Sequence, residues 1–173
     1  MTPTKSQMLE FDQSGMALIE MLAAVTVAGL LGTALVSLSF QILDVNARNV
    51  NHMAAVKQVE AASHWLYQDV EMAQNVTLQG NNGFPLNLTW TDWNNVSYQA
   101  TYSLQNGNLV YAYSVGGAPA SPTTIAHHIS ADPSQTNCVY VNRQLTITLT
   151  ATVDSSWRRA TETRVLQIVP RPG

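Results

Sequence analysis

The chain has 173 residues, a formal net charge of −3 and only 11% charged residues, enough for one domain plus an anchor and a modest core. Its eight Lys and Arg are scattered, with no basic stripe to follow a nucleic-acid backbone, and its 46% apolar content excludes a disordered chain. Cys138 is the one cysteine; it excludes an intrachain disulfide and reads as a small buried side chain in a strand.

The first element is the apolar run "SGMALIEMLAAVTVAGLLGTALVSLSFQIL", Ser14 to Leu43, whose only charge is Glu20. Met21 to Leu43 carries no formal charge and exceeds the roughly 20 residues of helix that span a bilayer. A cleaved secretory signal needs a basic start and a shorter apolar core. The residues before Met16 hold only Lys5 against Glu10 and Asp12. A plain signal anchor accounts for the length but leaves Glu20 unexplained. A carboxylate near hydrocarbon costs roughly 2.5–3.5 kcal/mol on insertion scales and tends to have a partner. No Lys, Arg or His lies between Ser6 and Ala47, so a partner within the segment is excluded. The free α-amino group of a neighbouring chain, cut just before Met16, would offset that cost and set one subunit against the next.

Gly15-Met16-Ala17-Leu18-Ile19-Glu20, followed by a long apolar helix, resembles the class III signal of type IV pilins and type II secretion pseudopilins. In that family a membrane-embedded prepilin peptidase cuts after the glycine and N-methylates the new first residue. A glutamate five residues into the mature chain guides assembly. The resemblance implies a leader of residues 1–15, a cut between Gly15 and Met16, and that assembly role for Glu20. It also implies the partners: the prepilin peptidase, other pilin or pseudopilin subunits, an inner-membrane assembly platform and membrane lipid. Met16 replaces the family's usual Phe, a variant more frequent in minor subunits. The leader is nearly devoid of the basic residues that the positive-inside rule favours at a cytoplasmic end.

After Leu43 polarity rises, but no Pro or Gly appears until Gly80. Val56, Val59, Ser63, Leu66, Val70 and Ala73 recur at helical steps. One helix is therefore predicted from about Met16 to Val76, with residues 16–43 as its transmembrane and assembly half. Residues 44–173 form the globular domain. "QGNNGFP", Gln79 to Pro85, ends the helix. Beyond Pro85 the period becomes two: Leu86 to Trp90, Val96 to Leu104, Leu109 to Val115 and Leu145 to Val153 alternate. Asn106-Gly107 signals a two-residue type I′ hairpin, pairing Leu104 with Leu109, Tyr102 with Tyr111, Ala100 with Tyr113 and Tyr98 with Val115. Thr124 to Ile129 and Cys138 to Val141 are short strand candidates. "DSSWRRA", Asp154 to Ala160, is read as a turn before a last strand, Thr161 to Val169. The fold class is α+β, one long helix packed on an antiparallel sheet.

"WLYQDVEMA" (Trp65 to Ala73), the Tyr-rich hairpin, "TTIAHHIS" and the closing strands ending in "VLQIVPRPG" resemble minor pseudopilins of the J type and related minor pilins. The resemblance implies a pilin-like fold and a fibre subunit, located in the bacterial inner membrane with its C-terminal domain outside the cytoplasm, and later in the fibre. Its work would be assembly and priming. A minor subunit of an adhesive or DNA-uptake pilus shares the same N-terminus. A stand-alone membrane-anchored β-domain that binds a ligand is the reading from another class.

No catalytic pattern stands out. No Gly-x-Ser-x-Gly elbow, phosphate loop or His-Glu-x-x-His motif is present. His127-His128, as strand neighbours, would face opposite ways and not chelate together. Asp92, Asp132 and Asp154 lack the spacing of a calcium loop. No enzyme activity, metal or cofactor is expected. Trp90 and Trp93 read as packing for a small sheet.

Overall fold

The computed structural model describes residues 13–119, 121–155 and 158–172. The leader expected over residues 1–15 therefore lies mostly outside the described residues. Helix α1 runs from Gln13 to Met72. The chain divides into two compact units, Met1–Val45 and Asn46–Gly173.

In the first unit every described residue from Leu18 to Leu43 is exposed. Three of its hydroxyls bond back onto the helix. Thr26 Oγ1 donates to the Leu22 carbonyl at 2.7 Å, Thr33 Oγ1 to Leu30 at 2.9 Å, and Ser39 Oγ to Leu35 at 2.9 Å. Hydroxyls bonded back onto the preceding turn need no water.

The second unit is built on the rest of α1. Ala55, Val59, Ala62, Leu66, Val70 and Ala73 are wholly buried. Their steps of three and four residues make one stripe. The expected stripe is shifted at its start: Ala55 is buried and Val56 is only half-buried. Two sheets complete the core. The five-stranded sheet has the order β1 (Asn75–Leu78), β2 (Leu86–Thr91), β3 (Ser97–Gln105), β4 (Asn108–Val115), β5 (Pro122–Ala126). The three-stranded sheet has the order β6 (Asn137–Val141), β7 (Gln144–Ser155), β8 (Arg158–Ile168). All neighbouring strands are antiparallel. Leu86, Leu88, Ala100, Tyr102 and Leu109 from the first sheet join Leu145, Ile147, Leu149 and Ala151 from the second in one core with the helix stripe.

The β3–β4 hairpin has the register the turn dictates: Gln105 opposite Asn108, Leu104 opposite Leu109, Tyr102 opposite Tyr111, Ala100 opposite Tyr113, Tyr98 opposite Val115. Asn106 and Gly107 both take positive φ, 50° and 74°, as a type I′ turn requires.

Four expectations are corrected. The helix ends at Met72, not near Val76, because Asn75–Leu78 pairs with β2: Val76 lies opposite Leu88 and Leu78 opposite Leu86. Gln74 fixes the changeover: its amide oxygen accepts from Thr91 N at 3.0 Å and its backbone N–H donates to the Thr89 carbonyl at 2.9 Å. One expected sheet is two. They are joined by the crossing segment after β5, where Ile129 bridges Ala151, and by Cys138 N–H donating to the Asn82 carbonyl at 2.8 Å. Gly83 permits that second junction. Its φ is +78°, and a Cβ there would collide with the Cys138 backbone. β5 stops at Ala126, short of Ile129. The expected turn "DSSWRRA" is narrower: β7 extends to Ser155 and β8 begins at Arg158, and residues 156–157 lie outside the described residues.

Candidate functional site

The sequence directs attention to Gly15, Met16 and Glu20. Gly15 and Met16 lie in the first turns of α1; the surroundings of both lie outside what the structure describes. The Glu20 side chain is exposed, among exposed Leu18, Ile19, Met21 and Leu22. The structure thus places the three residues on one helix at the head of an exposed apolar surface. That surface continues through Val25, Leu31, Leu35 and Phe40 to Leu43. It is the one helix among the described residues long and apolar enough to cross a membrane, and it lies near the N-terminus. A helix that is apolar on all sides and uncovered by its own chain fits a low-dielectric surrounding. The long apolar helix with antiparallel sheets establishes the coarse α+β class and is compatible with a single-pass membrane protein.

A second feature sits at the other end of α1. Asp69 is buried beside Val70, and its Oδ2 accepts a 2.6 Å hydrogen bond from the Tyr102 hydroxyl. Burial pushes the Asp69 carboxyl up from its ordinary value, while hydrogen bonds from Tyr102 and Tyr111 pull the other way. Burial and the neighbouring carboxylate push both tyrosine hydroxyls up, so each remains a donor at neutral pH. From this cluster the rings continue outward along the sheet. Tyr102 meets Tyr111 at 5.1 Å between centroids, Tyr111 meets Tyr113 at 6.2 Å, Tyr113 meets Tyr98 at 6.2 Å, and Tyr98 stacks on Trp90 at 5.8 Å. Trp65 of α1 packs on Tyr111 at 5.1 Å. This row positions the helix end on the sheet. At its inner end Tyr102 donates to Asp69, and at its outer end the Tyr98 hydroxyl donates to Asp92 Oδ2 at 3.2 Å. Asp69 was missed in the sequence although a signal existed: it is in phase with Ala62, Leu66 and Ala73 on the buried stripe.

The remaining candidates have structural partners. Trp90 packs as expected, but Trp93 does not: it is 91% exposed in the turn after β2. Beside it, Asp92 Oδ1 accepts from Asn94 N at 2.8 Å and Val96 N at 2.9 Å, and these bonds hold its carboxyl below the ordinary value. His127 and His128 follow the end of β5 rather than sharing a strand. His128 has φ 59°, and His127 Nδ1 lies 2.9 Å from Asn108 Oδ1. No group of three or more His, Cys, Asp or Glu among the described residues is placed to hold a metal. Cys138 is buried in β6, and burial pushes its thiol up, away from the reactive thiolate.

No protein-family model, no curated protein and no solved structure matches this chain.

Proposed function

We propose that this chain is a minor pilin or pseudopilin. A prepilin peptidase removes residues 1–15. The exposed apolar half of α1 then holds the subunit in the bacterial inner membrane, with the β-rich unit outside the cytoplasm. From there it passes, through the assembly platform and alongside other subunits, into a type II secretion pseudopilus or a type IV pilus-like fibre, in a priming or tip complex. The observation that carries this reading is the coincidence of Gly15, Met16 and Glu20 at the head of a helix whose residues Leu18 to Leu43 are all exposed. Cleavage before Met16 would create an α-amino group within reach of a neighbouring subunit's Glu20. That pairing explains why a segment suited to lipid keeps a carboxylate.

Intact-mass measurement of the membrane-extracted protein tests the reading. The expected species lacks residues 1–15, with or without one added methyl group. A full-length species, or one cut beyond Leu43, would refute it. A stand-alone anchored receptor, by contrast, needs no processing for its activity.

A further inference from the structure

The basic residues look scattered in the sequence, but the fold brings three of them together. Arg48 and His52, one turn apart on α1, and Arg158 and Arg159 at the start of β8 line one cavity of about 510 Å³, with Asn49 and Thr161 beside them. All belong to the Asn46–Gly173 unit. The arrangement is fastened: Asn51 Nδ2 donates to the Arg158 carbonyl at 2.7 Å, pinning the first residue of β8 to the helical turns that carry Arg48 and His52. β8 is also the outer strand of its sheet, so alternate backbone N–H groups point away from β7.

Three of the chain's eight Lys and Arg meet here, in a protein of net charge −3. No carboxylate lines the cavity, although Asp154 is the register partner of Arg159 across the β7–β8 pair. Arg48 and Arg158 each have a partner within the protein. A guanidinium carries five N–H donors in a fixed fork, so one internal partner leaves donors for a phosphate oxygen. Clustered guanidiniums match phosphate geometry better than ammonium groups do.

The position along the chain selects the source of the phosphate. The exposed apolar stretch ends at Leu43, and Arg48 follows five residues later in the same helix. We propose that this cavity binds the phosphate of an acidic phospholipid headgroup. Arg48, Arg158 and Arg159 hold the phosphate oxygens, and His52 and Thr161 hydrogen-bond the rest of the headgroup. The site would keep the β-rich unit at the membrane surface until the subunit is drawn into its assembly. It rests on the membrane-anchored reading but not on processing at Gly15.

The test uses the full chain in a neutral detergent, offered phosphatidylglycerol and phosphatidylcholine with identical acyl chains, and reads bound lipid by native mass spectrometry. Phosphatidylglycerol should be retained preferentially, by about fivefold for each guanidinium engaged. Arg159→Gln should reduce the preference by about that factor, and Arg48→Gln with Arg159→Gln should abolish it. Arg164→Gln should leave it intact, because Arg164 lies on the same strand but pairs with Glu60 at 3.4 Å. If the double variant fails to fold, Arg159→Gln alone, at an exposed position, decides the matter. Equal retention of the two lipids overturns the proposal, and so does a preference that survives the double variant. Displacement of the lipid by millimolar inorganic phosphate would make this a free-anion site and overturn the lipid assignment. Unchanged lipid retention with lost crosslinking to a partner protein would assign the cavity to a protein carboxylate instead. A chain uncut at Gly15 yet selective for phosphatidylglycerol would sink the processing reading and leave this site standing.

Discussion

The two halves of α1 use one backbone geometry for opposite ends. From Leu18 to Leu43 apolar side chains occupy every face and none is buried; from Ala55 to Val70 they form one wholly buried stripe. The polar groups differ in the same way. Thr26, Thr33 and Ser39 bond only to their own helix, whereas Asn51 and Asp69 reach out to Arg158 and Tyr102. Hydroxyls bonded back onto their own helix are suited to lipid. A helix that spends its polar groups on long-range contacts fixes a fold. Helical period alone therefore does not distinguish the halves; the distribution of polarity around the axis does.

The widest separation between the halves should come from leucine truncation. Leu66 is fully buried in the core, so Leu66→Ala should destabilise the β-rich unit by about 2–5 kcal/mol. Leu31 is 62% exposed, and Leu31→Ala should leave that unfolding transition within about 0.5 kcal/mol of the parent. Denaturant titration of the full chain in detergent, followed by near-UV dichroism of the tyrosines, reads both. Equal effects would break the comparison.

A smaller effect is expected at the buried polar cluster. Tyr102→Phe keeps the ring against Tyr111 but removes the donor 2.6 Å from Asp69. Leaving a buried carboxylate short of a partner should cost about 1–3 kcal/mol. The same titration measures it; no loss would mean that the remaining Tyr111 bond, or a water, suffices for the carboxylate.

How much of this was legible beforehand divides along local and non-local lines. The Asn106-Gly107 hairpin was readable to the residue, because turn chemistry and a period of two fix the register within one short stretch. The end of α1 was not. Nothing local stops a helix at Met72; Asn75–Leu78 leaves it because β2, the next strand along the chain, offers a ladder and a place for Val76 over the core. The division into two sheets likewise depends on Ile129 meeting Ala151 and Asn82 meeting Cys138, contacts between distant segments. The cavity between Arg48 and Arg159 was illegible for the same reason, since its residues come from the two ends of the unit. Gly15, Met16 and Glu20 were legible as a motif and remain a proposal for function.

The pH dependence of the buried cluster offers a finer probe. Burial raises the Asp69 carboxyl above its ordinary value of 3.8, so the folded chain holds that proton more tightly than the unfolded one. The stability it supplies is then full below the unfolded value and is lost as pH rises through the raised folded value. Asp92 and Asp132 slope the other way: backbone hydrogen bonds lower their carboxyls, and their stabilisation is lost as pH falls through the lowered values. Comparing the parent with Asp69→Asn separates the contributions. The variant's melting temperature should improve relative to the parent as pH rises from about 4 towards neutrality. A constant difference would mean that Asp69 keeps its ordinary affinity for the proton.

The smallest expected effect is the most direct test of the comparison. Every residue of the buried core lies at or beyond Ala55, and the compact β-rich unit begins at Asn46. Removing residues 1–45 deletes an exposed apolar surface and none of the core. Fraying at the new helix end would reach the first turn, before the Asn51 bond that anchors Arg158. The fragment should melt cooperatively, with mixed helix and strand dichroism and a stability within about 0.5 kcal/mol of the full chain in detergent. Its solubility without detergent should rise sharply, because the exposed leucines, valines and Phe40 are gone. A featureless melt would show that the β-rich unit needs the apolar half, or a partner held by it, to fold. The two stretches of α1 would then be one cooperative element, and the burial pattern would no longer identify their separate tasks.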